Sequence, residues 1–414
     1  MDEELKKKRR KSFWLGMIVG VCSVSAIVMA AVICGFFWFK NSSSEDFLGK
    51  KEQTKLKVIE SMINRFYYKD VTDEQKATGL YKGLVSSMED PYSEYFTPKE
   101  YKQQKEETSG NYAGIGAVLT REEGTNNTLI TRVYEGSPAA KGGLVKGDEI
   151  VSANGYRSQQ YDSLSGFVSH IRGEESSKVQ IVYKRDGVEK TVDLVRKNIT
   201  VPSVVHYMVD RKKGIGYIGI TEFSENTQEE FEAALKDLKN QGLKAVIYDV
   251  RLNPGGLVNE VTGILDDLLP KGTTVYMKDK KGREIDYTSD DKTQEKIPCV
   301  VLTSGQSASA AEIFAGAIRD FKYGTLIGTK TFGKGIVQQT MPLSDGSAVK
   351  LTVETYYTPS GDCIHKKGIK PDIELKYEFK GDKNRADLST DTYDYQKDNQ
   401  IQKGIAVLTR KLSQ

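Results

Sequence analysis

The spacing of hydrophobic positions divides the chain into stretches of different character. Phe13 to Phe39 is a run of 27 residues without a charge, and roughly 20 apolar residues suffice to cross about 30 Å of hydrocarbon. That run predicts a membrane-spanning helix. Beyond a polar tether containing Ser42-Ser43-Ser44, the residues Leu56, Ile59, Ile63, Phe66 and Tyr67 recur at helical spacing. A second helical stretch from Asp73 to Met88 ends at Asp90-Pro91-Tyr92. Between Gly110 and Arg196 the pattern becomes that of short strands and glycine turns: Ala117-Val118-Leu119, Thr128 to Val133, Glu149-Ile150-Val151 and Val179 to Tyr183. One helical stretch, Ser163 to Ile171, interrupts them. From Gly216 onward, apolar strands such as Ala245 to Tyr248 and Cys299 to Leu302 alternate with helices at Thr227–Lys239 and Ala310–Phe321, the rhythm of an α/β unit. A last helix is expected over Asp398–Leu412.

The predicted organisation is α/β and multidomain. It comprises a basic cytoplasmic tail (1–12), a transmembrane helix (13–39), a linker (40–52) and a small helical segment (53–102). A β-rich domain (103–199), an α/β core (200–379) and a C-terminal helical tail (380–414) follow. Lys6-Lys7-Lys8-Arg9-Arg10-Lys11 precedes the apolar run, and Trp14 and Trp38 sit near its ends, so the positive-inside rule keeps the N-terminus in the cytoplasm. A cleaved secretory signal would have an apolar core of about 7 to 15 residues closed by small residues. This run is longer and closes with Phe36-Phe37-Trp38-Phe39, so an uncleaved anchor is expected, with the remainder of the chain on the extracytoplasmic side.

Composition removes several function classes. Of 414 residues, 38% are hydrophobic and 28% charged, and the formal net charge of +3 favours no polyanionic partner, so no nucleic acid is expected. Cys22 and Cys34 fall in the apolar run, leaving Cys299 and Cys363, too few for a disulfide framework or a structural zinc site. Asp249, Asp266, Asp267, Asp290 and Asp291 lack the spacing of a metal-binding loop. Neither metal nor cofactor is predicted.

The chemistry is concentrated in two places. Gly114-Ile115-Gly116-Ala117 opens the β-rich domain, followed by Glu135-Gly136-Ser137-Pro138-Ala139-Ala140, Gly143-Leu144, Gly147-Asp148-Glu149-Ile150 and Asn154-Gly155. In this order the motifs resemble a PDZ domain. A glycine-flanked turn can aim backbone N–H groups at a peptide carboxylate while the next strand offers its edge. Protein or peptide C-termini are therefore the expected partners. The stretch Ser163 to Ile171 should border the groove, and Arg172 just after it is a candidate reporter of ligand binding to the catalytic domain.

In the second place, Leu302 to Ile313 runs from an apolar strand into a helix and sets Ser309 at the helix N-terminus. Free N–H groups and the positive end of the dipole gather there, which favours an oxyanion. An ordinary N-cap serine is the commoner role at such a position. Of the three histidines, His170, His206 and His365, none has a triad context. Lys334, between Gly333 and Gly335, is the better base. It must be neutral to act, so its pKa has to fall from about 10.4 towards roughly 7 to 8. That shift of three units costs about 4 kcal/mol, which closure over substrate would help to supply.

A second resemblance follows from these motifs, to the C-terminal processing peptidases. It spans nearly the whole chain after the anchor: Asp90-Pro91-Tyr92-Ser93-Glu94-Tyr95-Phe96, Gly216-Tyr217-Ile218, Asp249 to Leu257, the Ser309 and Lys334 stretches, Tyr357-Thr358-Pro359-Ser360-Gly361 and Gly368 to Asp372. The resemblance implies a core of the ClpP/crotonase-like fold, Ser309 as nucleophile, Lys334 as general base and Gln338 as its orienting partner. It also implies oxyanion donors from the backbone of Gly255 or Gly256 and of Ala310. On a straight strand Gln338 would lie about 13 Å from Lys334, so the chain must bend for it to serve, and Gln339 stays open as well. Two other readings compete with it. Gly328 to Lys334 nearly spells a phosphate-binding loop, but Gly335 stands where a magnesium-binding hydroxyl is required. A catalytically inactive PDZ adaptor would bind C-termini without cutting them. The helical stretches near both ends, Leu56–Met88 and Asp398–Leu412, are candidates for self-association or, as amphipathic helices often do, for covering a core.

Overall fold

The computed structural model describes residues 48–122, 125–290, 292–381 and 393–414. The expected anchor at 13–39 lies outside these residues, and among the described residues no helix is long and apolar enough to cross a membrane. Contacts divide the chain into two compact units, 1–79 and 80–414. In the first, helix α1 (Lys50–Phe66) has no buried residue. The helix that follows, α2 (Asp73–Ser86), carries the break between units within it. Lys76 on α2 pairs with Glu60 on α1 at 3.1 Å.

The second unit opens with β1 (Glu94–Phe96) and α3 (Pro98–Ser109). The expected boundary at 102/103 thus falls inside a continuous helix. The β-rich domain contains β2 (Asn111–Gly114), β3 (Ala117–Arg121), β4 (Thr128–Val133), the short helix α4 (Pro138–Lys141), β5 (Glu149–Ala153) and β6 (Tyr156–Arg157). It continues with α5 (Leu164–Ile171), β7 (Lys178–Arg185), β8 (Val188–Val195) and β9 (Lys197–Thr200). Its main sheet has the order β3-β4-β5-β7-β8, which leaves β3 at an edge, while β2 and β9 pair as a separate ribbon. Ile115, Ile130, Ile150, Phe167, Ile171 and Ile181 form its core. Ser163 caps α5 by accepting the Gly166 N–H, which fixes where that helix begins.

The α/β core comprises β10 (Val204–Asp210), β11 (Ile215–Ile220), α6 (Thr227–Asn240), β12 (Ala245–Asp249), α7 (Val258–Leu268), β13 (Gly272–Asp279) and β14 (Glu284–Ser289). After these come β15 (Cys299–Thr303), α8 (Ala310–Asp320), β16 (Gly324–Gly328), β17 (Ile336–Pro342), β18 (Ala348–Tyr357), β19 (Ile373–Glu374) and α9 (Asn399–Leu412). One sheet runs β10-β11-β12-β15-β16-β19, parallel except at its β10 edge. Strands β11, β12 and β15 are buried at every residue, as expected of parallel strands covered on both faces. Helices α6, α7 and α8 cover one face with Phe231, Leu235, Ile264, Leu265, Phe314 and Ile318. The stretch expected as a C-terminal tail covers the other: Ile401 and Leu408 of α9 pack with Ile247, Val300 and Leu302. Gly404 lets α9 approach closely, since a β-carbon there would stand 3.0 Å from Ile247 Cδ1.

A second, antiparallel sheet has the order β1-β18-β13-β14, with β17 also paired to β18 directly after the Gly333–Gly335 loop. Strand β1 belongs to it through the pairs Glu94 with Lys350 and Phe96 with Ala348. Cys299 and Cys363 are both free, so no bridge joins them.

Candidate active site

Ser309 stands between β15 and α8 with φ +54 and ψ −118, a backbone conformation that a residue with a side chain adopts only when its surroundings enforce it. Those surroundings are identifiable. Its N–H donates to Glu312 Oε2 at 3.0 Å and its carbonyl accepts from the buried Tyr356 hydroxyl at 3.0 Å. Helix α8 behind it is buried from Ala310 to Ile318, so its N-terminal N–H groups point out of a dry interior.

Opposite the serine lies the turn after β12. Asn253, fully buried, accepts the Ala308 N–H through its carbonyl at 3.0 Å and donates its amide to the Ile220 carbonyl at 3.1 Å. Its side-chain oxygen accepts the Gly255 N–H at 2.8 Å. Of the two glycines expected as alternative oxyanion donors, Gly255 thus has its N–H engaged within the turn. Among the described residues, the N–H groups of Gly256 and Ala310 have no acceptor. Gly255 instead permits proximity, since a β-carbon there would be 2.6 Å from Ser309 Cβ and 3.1 Å from Ala310 N. Gly256, at φ +137, would place one 2.2 Å from the Phe223 carbonyl oxygen.

Glu312 joins this half to the lysine half. Its carboxylate is fully buried and, besides Ser309 N–H, accepts Thr331 Oγ1 at 2.5 Å, Gly333 N–H at 2.8 Å and Lys334 N–H at 2.8 Å. Burial raises its pKa, against the lowering effect of those four donors. The backbone of Lys334 is therefore fixed relative to that of Ser309 through one carboxylate. Strand β17 follows directly after Gly335, so no helix follows the Gly328–Lys334 stretch and the phosphate-loop reading is set aside.

The side chain of Lys334 is half-buried, and burial lowers its pKa, assisted by the charge of Lys350 and opposed by Asp90. Its ammonium lies 4.8 Å from the ring centre of Tyr92. Among the described residues, no hydrogen bond joins it to Ser309. Gln338 is turned by an irregularity between Val337 and Gln338 in the pairing of β17 with β18, and its amide donates to Thr352 Oγ1 at 3.2 Å. Ser309, Lys334, Gln338, Gln339 and Gly256 nevertheless line one cavity of about 790 Å³, walled on another side by Tyr101 and Lys105 of α3. Among the described residues no histidine lines it: His170 bonds Tyr161 at 2.7 Å and His206 pairs with Asp237 at 3.0 Å.

The turn Gly114 to Ala117 connects β2 to β3. Gly116 has φ +75, and a β-carbon on it would strike Ser137 Cβ at 2.4 Å, which explains the glycine. Among the described residues, the N–H groups of Ile115 and Gly116 have no acceptor. Beside them, Ile115, Ala117, Leu119, Val168, Ile171 and Arg172 line a cavity of about 240 Å³ between β3 and α5. Arg172 lies over Tyr112 of β2, with its guanidinium carbon 4.5 Å from the ring centre, and its buried Nε has no partner. Burial pushes the Tyr112 hydroxyl up to about 12.

Comparison with known proteins gives this arrangement a lineage. The Peptidase family S41 model matches residues 214–375, the PDZ domain model 129–185, and the model of the activating protease CtpB N-terminal domain 39–100. A "Probable CtpA-like serine protease" of Staphylococcus aureus strain COL is 33% identical over 381 residues, covering 90% of this chain and 75% of the relative. The chain belongs to the C-terminal processing peptidases of family S41. A relative with the same description from Staphylococcus epidermidis is 34% identical over 355 residues, covering 84% and 71% of the two chains. A Bacteroides fragilis structure described as an S41 protease shares the fold at 17% identity and a TM-score of 0.54, covering 86% of this chain and 97% of that one. This S41 peptidase thus combines a serine-protease core of mixed α/β structure with a PDZ domain that suits peptide C-termini.

Of the site residues expected from sequence, the structure brings Ser309, Lys334, Gln338 and Gly256 to one cavity, with Ala310 next to Ser309 at the start of α8. Sequence reading missed Glu312, Asn253, Tyr356 and Tyr92. Glu312, three residues after Ser309, carried a signal indistinguishable from a helix-capping glutamate, and Tyr92 and Asn253 lie in motif stretches that gave them no individual role.

Proposed function

We propose that this peptidase is a membrane-anchored endopeptidase that captures protein C-termini in its PDZ groove and cuts near them with a Ser309/Lys334 dyad. Ser309 Oγ attacks the scissile carbonyl as Lys334, neutral at that moment, takes its proton. The N–H groups of Gly256 and Ala310 then receive the oxyanion. The protonated lysine gives its proton to the departing amine, and a water activated by the same lysine releases the acyl group. Gln338 orients the amine once it leaves Thr352. The observation that carries this reading is the strained Ser309 backbone flanked by two uncommitted N–H groups, in one cavity with a lysine made less basic by burial.

Anchoring rests on the apolar run 13–39 and its basic flank, which would leave the N-terminus in the cytoplasm and the catalytic part outside. Coupling between the domains has a physical route: Arg172 faces the groove and also covers Tyr112, on the ribbon that enters the peptidase core through Gly110, whose would-be β-carbon is 3.0 Å from Ser224. The test is cleavage of a peptide with an apolar C-terminus by the parent, Ser309→Ala and Lys334→Ala, with peptide binding measured in parallel. Both variants should bind and neither should cut. Parent-like cleavage by either would refute the dyad.

A further inference from the structure

The dyad as it stands contains a conflict. The backbone of Lys334 is pinned by Glu312, so only its side chain can move between Ser309 and other partners. Its ammonium rests on the ring of Tyr92, at 4.8 Å. An aromatic face attracts a cation and has little hold on a neutral amine, whereas a general base must be the neutral amine. The contact therefore favours the form of lysine that cannot act.

Tyr92 is held in place rather than drifting against the lysine. Its N–H donates to Asp90 Oδ1 at 3.1 Å, and Ser93 Oγ donates to Asp90 Oδ2 at 2.6 Å. Ser93 Oγ in turn accepts the Thr352 N–H of β18 at 3.0 Å, and β1 begins at the next residue, paired with the same strand. The turn is thus tied to β18 beside Thr352, the residue that also holds the Gln338 amide. Both side chains expected to assist Ser309 are engaged at one strip of β18.

We propose that Tyr92 is a positioning residue for Lys334: its ring face holds the lysine as an ammonium in the substrate-free site, and substrate binding must draw the lysine from it before the dyad can form. This rests on the reading of Lys334 as base. The charged groups around the lysine are Lys350, which disfavours the ammonium, and Asp90, which favours it. His365 stands near Asp90, and the Glu312 carboxylate holds the Lys334 N–H. Tyr92 adds a contribution with no formal charge, so it can be removed without changing the net charge of the site.

The test is the acid limb of kcat/KM against pH, which reports the free enzyme, for the full chain carrying Tyr92→Phe or Tyr92→Leu. Tyr92→Phe keeps the ring face and should reproduce the parent profile. Tyr92→Leu should move the acid limb to lower pH by roughly half a unit or more. Superimposed parent and Tyr92→Leu limbs, or a Phe variant that behaves as the Leu variant does, overturn the proposal. A purely structural role would lower the rate without moving the limb. A readout that needs neither turnover nor a change at position 92 is the proton spectrum of Lys334 in Ser309→Ala. Its ε-methylene should be displaced upfield by the Tyr92 ring current, and a shift typical of a free lysine overturns the contact. If Lys334→Ala still cuts peptide, the dyad reading fails, while this spectrum still decides the Tyr92 contact by itself.

Discussion

The two halves of the active site are built to different degrees of completion. On the serine side, Ser309, Asn253 and Gly255 are held by hydrogen bonds within a buried framework, and among the described residues the Gly256 and Ala310 N–H groups have no acceptor. On the lysine side, only the backbone is fixed, through Glu312, and the side chains of Lys334 and Gln338 are engaged elsewhere. The difference has a physical basis. Backbone donors need no change of protonation to serve an oxyanion, so they can be preorganised at little cost. A lysine that stayed desolvated and neutral at all times would carry a standing penalty, so it is better assembled on demand.

That contrast can be challenged from either side. The largest effect should come from Gly256→Ala, because the added β-carbon collides with the Phe223 carbonyl and the φ of +137 excludes it. Displacement of this N–H should lower kcat by about 10²- to 10³-fold, with PDZ peptide binding retained as the control for folding. Undiminished turnover would remove Gly256 from the oxyanion assignment. Next is Glu312→Gln, whose amide NH₂ would face N–H donors. It should destabilise the protein by about 1–3 kcal/mol in denaturant unfolding and reduce turnover, because both loops lose their shared acceptor. Parent-like stability would show that the carboxylate is not the joint between the halves.

Arg172→Ala tests whether the PDZ domain assembles the lysine half. A peptide should still bind, but its acceleration of cleavage should fall by roughly fivefold or more. An intact response would place the coupling elsewhere. The smallest change is expected from Lys350→Gln. The charge of Lys350 helps hold the Lys334 pKa down, so removing it raises that pKa, and the acid limb of activity should move to higher pH by roughly a few tenths of a unit. Movement the other way would contradict the electrostatic account of the lysine.

The uneven completion also explains what could be read from the sequence. Ser309 was legible because strand and helix patterns meet at it, and the PDZ turn because its glycines and their successors are local. Strand β1 was not legible. Its three residues, Glu94–Phe96, pair with Lys350–Ala348 far along the chain, and nothing local marks that pairing. Likewise the sequence marks α9 as an amphipathic helix without saying what it packs on, although Asp398 both caps it and pairs with Arg251, which is bonded to Asp249 at the start of the turn that carries Gly255 and Gly256. Asn253 looks like a turn residue, and only the fold reveals that its amide ties the turn to Ile220 and restrains Gly255. Gln338 was expected as the partner of Lys334; it lines the cavity, but its amide is engaged with Thr352 beside an irregular register of β17 that no local signal predicts.

The central claim, that Ser309 becomes acylated with Lys334 as its base, is tested most directly by acid-quenching the full chain during turnover of an ester-activated peptide and measuring masses of its digestion fragments. The account predicts an acyl adduct on the fragment containing Ser309 in the parent, and none in Lys334→Ala. An adduct on a different residue, or continued cleavage with no adduct and undiminished rate in Lys334→Ala, would contradict it.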